Sequence, residues 1–315
     1  MTIISRMSSI LPSSLYKVMQ PKYQWLKVKK KLKSRGAKFN YNKEFGGWII
    51  ELPMLNGKNL IVLARTFREF RRVSQFGTNK SNVVWKWINW VEKNNVIYDV
   101  GSANGLEGFA MNHLSSSHIC FIEPYTPSVE TILKTAYLIN QNKKEKERKF
   151  DIIHAGCTEK ESYSKLIMHS APVAGQTRNT YETRKNYEEK GGRDRSKVVI
   201  EQWVKGITLD SLVNVYKLKK PNYIKIDVDG HEESVLKGAK YILKNKLVKS
   251  WCIEITGEKR IKNITDIMFK NDYEFVEEYN HYPNYEVIKT VDRVFVKKSL
   301  KKKWDTYSKQ ANLEL

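Results

Sequence analysis

Apolar positions change their period several times along the chain, and each change marks a new kind of element. Up to about residue 40 there is little periodicity, which predicts a basic arm, partly helical or disordered. From Trp48 two apolar runs, WIIELP and LIVLA, flank Asn56-Gly57. That pair tolerates positive φ, so a β-hairpin is expected over about 48–64. In RTFREFRRVSQF (65–76), Phe67, Phe70 and Val73 share one helical face and arginines take the rest. Ser81 is placed to cap a second amphipathic helix, NVVWKWINWVEKN. Its Trp85, Trp87 and Trp90 read as core anchors rather than as a platform for stacking bases.

A regular alternation follows. VIYDVG (96–101) is a strand, GLEGFAMNHL a helix, HICFIE (118–123) a strand, PSVETILKTAYLIN a helix opening on Pro127, and FDIIHAG (150–156) a third strand. The rhythm lapses over 170–196, a polar stretch rich in Gly, Arg and Lys between two expected strands, SKLIMH and VVIEQWV. A loop this long is functional or disordered. It resumes with LDSLVNVYKL (helix), YIKIDV (strand), HEESVLKGAKYIL (helix) and SWCIEI (strand), and YEFVEEYN with VDRVFVKK reads as an antiparallel pair closing the sheet. Strands alternating with helices predict an α/β fold, a mainly parallel doubly wound sheet covered on both faces. The expected plan is a basic extension (1–80), a main domain (81–298) with the 170–196 insertion, and a basic, solvated tail (299–315).

Charge sharpens this plan. The chain carries a net charge of +22, and residues 1–80 hold 17 Lys and Arg against 3 acids. Such a segment suits an anionic partner, either nucleic acid or a membrane surface, although Lys also accumulates on solvated faces in a chain this rich in Asn, Ile and Tyr. The first 43 residues lack any acid and hold five Ser up to Ser14, a faint likeness to a transit peptide that the excess of Lys over Arg weakens. No apolar run approaches the roughly 18 residues that span a bilayer, and no secretory apolar core opens the chain. Cys120, Cys157 and Cys252 lie in or beside apolar runs without metal spacing, as buried reduced thiols do. A cytoplasmic protein is expected.

Two motifs carry the first chemistry. In YDVGSANGLEG (98–108) a glycine turn joins strand to helix, with Asp99 at the strand end and Ser102 and Asn104 between Gly101 and Gly105. The spacing is G-x-x-x-G rather than the G-x-G-x-x-G of dinucleotide enzymes, which argues against a nicotinamide dehydrogenase. Glu123 ends the next strand, 18 residues beyond Gly105, where a carboxylate accepts both hydroxyls of a ribose. The alternative role, capping the following helix, is better filled by Thr126. A ribose acid without a phosphate cradle points to S-adenosylmethionine, whose amino-acid tail needs acceptors such as Asp99. Ala155 and Gly156, after the third strand, are small enough to border its adenine.

Here the chain resembles the FkbM-type S-adenosylmethionine-dependent methyltransferases. The resemblance rests on DVGSANG (99–105), IEP (122–124), TLDSLV (208–213) and above all IKIDVDGHEESVLKGA (224–239), and covers about residues 80–298. It implies a Rossmann-like class I methyltransferase fold, with a seven-stranded, mainly parallel sheet and most often methylation of a hydroxyl oxygen. The inserted 170–196 loop departs from the family.

In such a fold the strand YIKIDV ends beside the transferring methyl group, so Asp227 faces the reaction centre. Asp229 shares its face if the strand continues. A hydroxyl must lose a proton as it is methylated, and His231 or Asp227 is the expected base, with Asp229 beside them. Asp227, Asp229 and Glu254 also offer oxygens to a hard ion such as Mg²⁺. Against these roles, acids at a helix start favour its dipole, which accounts for Glu232 and Glu233, and His231 is equally a solvated first-turn residue. The absence of an Asn/Asp-Pro-Pro-aromatic run after the strand favours oxygen over nitrogen as acceptor. The leading expectation is an O-methyltransferase acting on a sugar, glycan or other small hydroxylated metabolite. The runners-up are an RNA ribose 2′-O-methyltransferase and a non-catalytic module that binds nucleic acid or membrane.

Overall fold

The computed structural model describes residues 13–79, 82–141, 144, 149–168, 172–174, 180–181, 200–281 and 289–313, with the backbone alone at 13–22, 180–181 and 312–313. These fall into two compact units that divide between Phe76 and Gly77.

The first unit contains α1 (Ser13–Ser34), β1 (Lys38–Asn42), β2 (Gly47–Pro53), β3 (Asn59–Ala64) and α2 (Phe67–Gln75). The expected hairpin is β2–β3, paired from Trp48↔Ala64 to Pro53↔Asn59 around a turn in which Gly57 has φ +74°. β1 adds to β2 and completes a three-stranded antiparallel sheet. Trp25 of α1 packs against Trp48 and Phe70, with ring centroids 6.1 and 5.0 Å apart. Lys29 stands over the Trp48 ring at 4.5 Å. A capping box of Thr66 and Glu69 opens α2, and Arg35 donates to the Val73 and Ser74 carbonyls at its far end. From Trp25 to Arg35 the basic segment is therefore packed within this unit rather than a loose arm. Its charge is partly used to close helix ends and cover aromatic rings.

The second unit opens with α3 (Val83–Trp90), capped by Asn82, whose Oδ1 accepts from Val84 N at 2.8 Å. Ser81, the expected cap, lies outside the described residues. Trp87 and Trp90 are buried as anchors, and Trp85 is half-buried over Gly77. Then come β4 (Val96–Val100), α4 (Leu106–Ser115), β5 (His118–Ile122), α5 (Thr126–Asn140), β6 (Phe150–Ile153), β7 (Gly156–Cys157), β8 (Ser162–Met168), β9 (Thr180–Tyr181) and β10 (Ile200–Ile207). The chain continues through α6 (Leu209–Asn214), β11 (Tyr223–Ile226), α7 (Glu232–Lys237), α8 (Lys240–Lys244), β12 (Ser250–Thr256), α9 (Glu258–Lys270), β13 (Tyr273–Asn280), β14 (Thr290–Lys297) and α10 (Lys301–Leu313).

Seven strands form one sheet in the order β13-β14-β12-β11-β4-β5-β6. From β6 to β12 the pairs are parallel, and β14 runs against both β12 and β13. The closing pair is thus antiparallel as expected, but β14 is inserted between β12 and β13 rather than added at the edge. The two expected strands around the insertion, β8 and β10, pair with each other in a separate four-stranded sheet, β7-β10-β8-β9. Except for β9, the 170–196 stretch lies largely outside the described residues. Val100, Ile122, Ile224, Ile226 and Ile253 form the core beneath the strand ends.

Part of the expected solvated tail is instead α10. It buries Trp304 against Trp90, with centroids 5.1 Å apart, and Tyr307 donates to the Lys86 carbonyl. One apolar ring among lysines is too weak a sequence signal to announce a docked helix. Cys120, Cys157 and Cys252 are buried and free. Among the described residues no helix is long and apolar enough to cross a membrane.

Candidate active site

The order of the sheet reverses between β4 and β11, because β5 lies on one side of β4 and β11 on the other. Ligands of open α/β sheets bind at the carboxyl ends of the strands at such a point. The expected site residues cluster there.

On the β4 side the backbone sets the geometry. Gly101 has φ +76°, and a Cβ on it would lie 1.8 Å from the carbonyl oxygen of Asp227, so no other residue fits where the β4 turn crosses the chain leaving β11. Ser102 ties this turn to its neighbours: its Oγ donates to Asp99 O (2.6 Å) and accepts from Ile122 N (3.1 Å). Ser102 is therefore a clamp between β4 and β5. Asn104 is buried in the same turn, and Gly105, with φ +74°, opens α4.

Asp99 lies wholly buried at the end of β4, and neither carboxylate oxygen has a hydrogen bond of ordinary geometry. Gly108 makes room for it, since a Cβ there would come within 2.9 Å of Oδ2. Burial pushes Asp99 up to about 7, and the Lys225 ammonium, 3.9 Å away, offsets this in part. Glu123, buried at the end of β5, accepts from Ala103 N (2.7 Å, Oε2) and Tyr125 N (2.9 Å, Oε1). Burial lifts it too to about 7, against those two bonds. Each oxygen keeps a further lone pair for a ligand. The helix after Glu123 begins at Thr126 with Tyr125 as its cap and has no side-chain capping bond, so Thr126 does not take the expected role. Ala155 and Gly156 follow β6 and are both buried, and Gly156 pairs with Gly206 of the second sheet.

On the β11 side, charge sets the geometry. Lys225 and Asp99 are partners in the β11–β4 register. The buried Lys225 ammonium lies 3.3 Å from Asp227 Oδ2 and so joins the two acids. Burial alone would lower Lys225, but Asp227 and Asp99 outweigh it and hold the ammonium above its ordinary value. Sequence reasoning passed over this lysine, although a cation inside an apolar strand is itself a signal. Asp227 keeps 39 % of its side chain exposed, so it can meet a ligand.

Asp229 corrects an expectation. The strand ends at Ile226, and Asp229 adopts a left-handed φ of +52°, so strand alternation does not align it with Asp227. His231 caps α7 with its Nε2 sealed from solvent, which departs from a solvated first-turn residue. Glu232 accepts from Gly230 N at 2.7 Å and is pushed by burial up to about 7; Glu233 accepts from Asn263.

Two further groups, His281 and Asp292, belong to no motif visible in the sequence. His281, just past β13, lies 2.9 Å from Asp292 of β14 and 3.5 Å from Glu254 of β12. The bond to Asp292 holds His281 above its ordinary value despite burial. The charge of Asp227, then burial and Asp292, push Glu254 well above the carboxylate range. The cation set expected from sequence is also corrected. Among the described residues, the one group of this kind close enough to share an ion is Glu254, His281 and Asp292, without Asp227 or Asp229.

The chain resembles solved structures at low identity. It is 14 % identical to a methyltransferase FkbM from Methylobacillus flagellatus KT, with a TM-score of 0.45, over 69 % of this chain and 47 % of that one. It thus spans about half the length of that protein. M. capricolum TrmK in complex with S-adenosyl-homocysteine is 10 % identical, with a TM-score of 0.41 over 69 % of this chain and 68 % of that one. Magnesium protoporphyrin IX methyltransferase from Synechocystis PCC 6803 with bound SAM is also 10 % identical, with a TM-score of 0.41 over 74 % and 84 %. No curated protein matches the chain. The methyltransferase FkbM domain matches residues 99–275, more than half of the chain, from the carboxylate that opens the glycine turn, through Glu123 and Asp227, to β13. The chain whose strand ends gather these acids belongs to the FkbM methyltransferase family.

Proposed function

We propose that the chain binds S-adenosylmethionine between β4 and β5 and methylates a hydroxyl oxygen of a sugar, glycan or other small hydroxylated metabolite. The observation that carries the cofactor reading is the pair of buried carboxylates astride the glycine turn. Asp99 is wholly buried with the Lys225 ammonium 3.9 Å away as its charge partner, and its carboxylate oxygens keep acceptor capacity for a ligand. The ammonium of the cofactor's amino-acid tail suits Asp99, and the remaining lone pairs of Glu123 suit ribose hydroxyls. Ala155 and Gly156 leave room beside an adenine.

When bound, S-adenosylmethionine supplies an electrophilic methyl group on a sulfonium. The residues of the chain then have two tasks. One is to hold the acceptor hydroxyl in line with that methyl, from which most of the rate would come. The other is to receive the proton that the oxygen gives up. Asp227, partly exposed at the end of β11 and steadied by Lys225, is suited to orient the hydroxyl or take its proton. The sealed Nε2 of His231 makes that residue the weaker base. The DVDG turn, without a proline pair, supports oxygen as acceptor.

Methylation of an RNA ribose remains the second reading, because Lys225 is a lysine beside Asp227 as that chemistry asks. Its burial between two acids favours a positioning role instead. The test is transfer of labelled methyl from S-adenosylmethionine to free sugars, glycans and a short RNA. An alkali-stable methyl ether on a sugar or glycan is expected. Label on nitrogen alone, or on RNA alone, would contradict this reading.

A further inference from the structure

We propose that Glu254, His281 and Asp292 form a binding site for a first-row divalent cation such as Mn²⁺ or Zn²⁺. Backbone register brings the three together. Glu254 and Asp292 are directly opposed in the antiparallel β12–β14 pair, so their side chains share one face of the sheet. His281 is seated by its backbone N–H, which donates to Thr290 O at 3.0 Å, two residues before Asp292. One ligand atom from each residue lies within 4.8 Å of the other two. The separations of 2.9 and 3.5 Å from the imidazole Nε2 match ligands placed about 2.1 Å from a common ion, which stand about 3 to 3.4 Å apart.

Charge gives the second reason. Like charges directly opposed across a strand pair destabilise a sheet. Glu254 also feels Asp227 and Asp229. Lys225, the nearby cation on β11, is already shared by Asp99 and Asp227. The imidazole of His281 faces both acids, and a dication held by the same three atoms would let both carboxylates be ionised together.

One imidazole nitrogen and two carboxylate oxygens suit Mn²⁺ or Zn²⁺ better than Mg²⁺, which prefers an all-oxygen octahedron. Glu254 and His281 keep 27 and 28 % of their side chains exposed, while the His281 Nε2 that would face the ion is itself sealed from solvent. Glu254 lies within the family match, whereas His281 and Asp292 lie beyond its end at residue 275. Ion binding does not depend on the reading above. Its use does: beside Asp227, an ion would lower the pKa of an acceptor hydroxyl.

The test is titration of the full chain, free of cofactor, with Mn²⁺ followed by electron paramagnetic resonance. It is repeated on Glu254→Gln and Asp292→Asn, with circular dichroism to confirm the fold. One Mn²⁺ per chain is expected in the wild type, weakened about tenfold or more in each folded variant. A wild type that leaves Mn²⁺ free up to millimolar concentration would overturn the proposal, as would folded variants that bind like the wild type. A parallel titration with S-adenosylhomocysteine keeps the two readings apart, because the Gln and Asn variants leave Asp99 and Glu123 intact.

Discussion

The two sides of the crevice are built differently. On the β4–β5 side, bonds to the main chain place the groups: a positive φ at Gly101, the Ser102 hydroxyl between Asp99 O and Ile122 N, and main-chain N–H groups on Glu123. On the β11–β14 side, side-chain charge places them: Lys225 between two acids, and His281 between two more. A pocket for one fixed ligand tolerates a backbone frame. A surface that receives a variable acceptor, or an ion, is more easily tuned through side chains.

The sharpest way to break this contrast is Gly101→Ala. A methyl 1.8 Å from the Asp227 carbonyl, on a backbone that L residues rarely adopt, is expected to cost roughly 4 kcal/mol or more in thermal unfolding. A variant that melts like the wild type would show that the turn is not backbone-fixed. Next is Lys225→Met, which strands Asp99 and Asp227. About 3 kcal/mol of destabilisation is expected, larger at pH 8 than at pH 5.5, where buried Asp99 can protonate.

The pH dependence of the unliganded chain is the third. Asp99, Glu123 and Glu232 are held near 7 by burial, against about 4 when unfolded. The folded chain therefore carries more protons than the unfolded chain between those values, so stability falls as pH rises through that window. The melting temperature should drop by roughly 5 °C or more from pH 5.5 to 8. A rise over the same range would contradict the burial account. The smallest effect is expected from Glu254→Gln, which puts an uncharged amide where Asp227, burial and Asp292 already disfavour the charged carboxylate. It should shift stability by no more than about 1 kcal/mol, in either direction, in calorimetric melting.

The sequence revealed the two sides unequally, for a physical reason. The parallel strands and Asp99, Gly101, Glu123 and Asp227 were legible because each βα unit writes its strand, turn and acid contiguously. The ion cluster was not: it depends on β14 inserting between β12 and β13, so Glu254, His281 and Asp292 meet only through pairing register. The same holds for β1, whose KFNYN alternates two aromatics with polar residues, and for the second sheet, which includes two strands of two residues each. Asp229 was misplaced because the strand stopped one residue before Asp227.

The central claim is that Asp99 and Glu123 hold the nucleoside cofactor. Its most direct test is calorimetric titration with S-adenosylhomocysteine, alongside NADH, of the wild type, Asp99→Ala and Glu123→Ala. Micromolar-range binding of S-adenosylhomocysteine alone, weakened about tenfold or more by each substitution in a folded chain, is the predicted result. A folded wild type that binds no S-adenosylhomocysteine, or variants that bind it unchanged, would contradict the account.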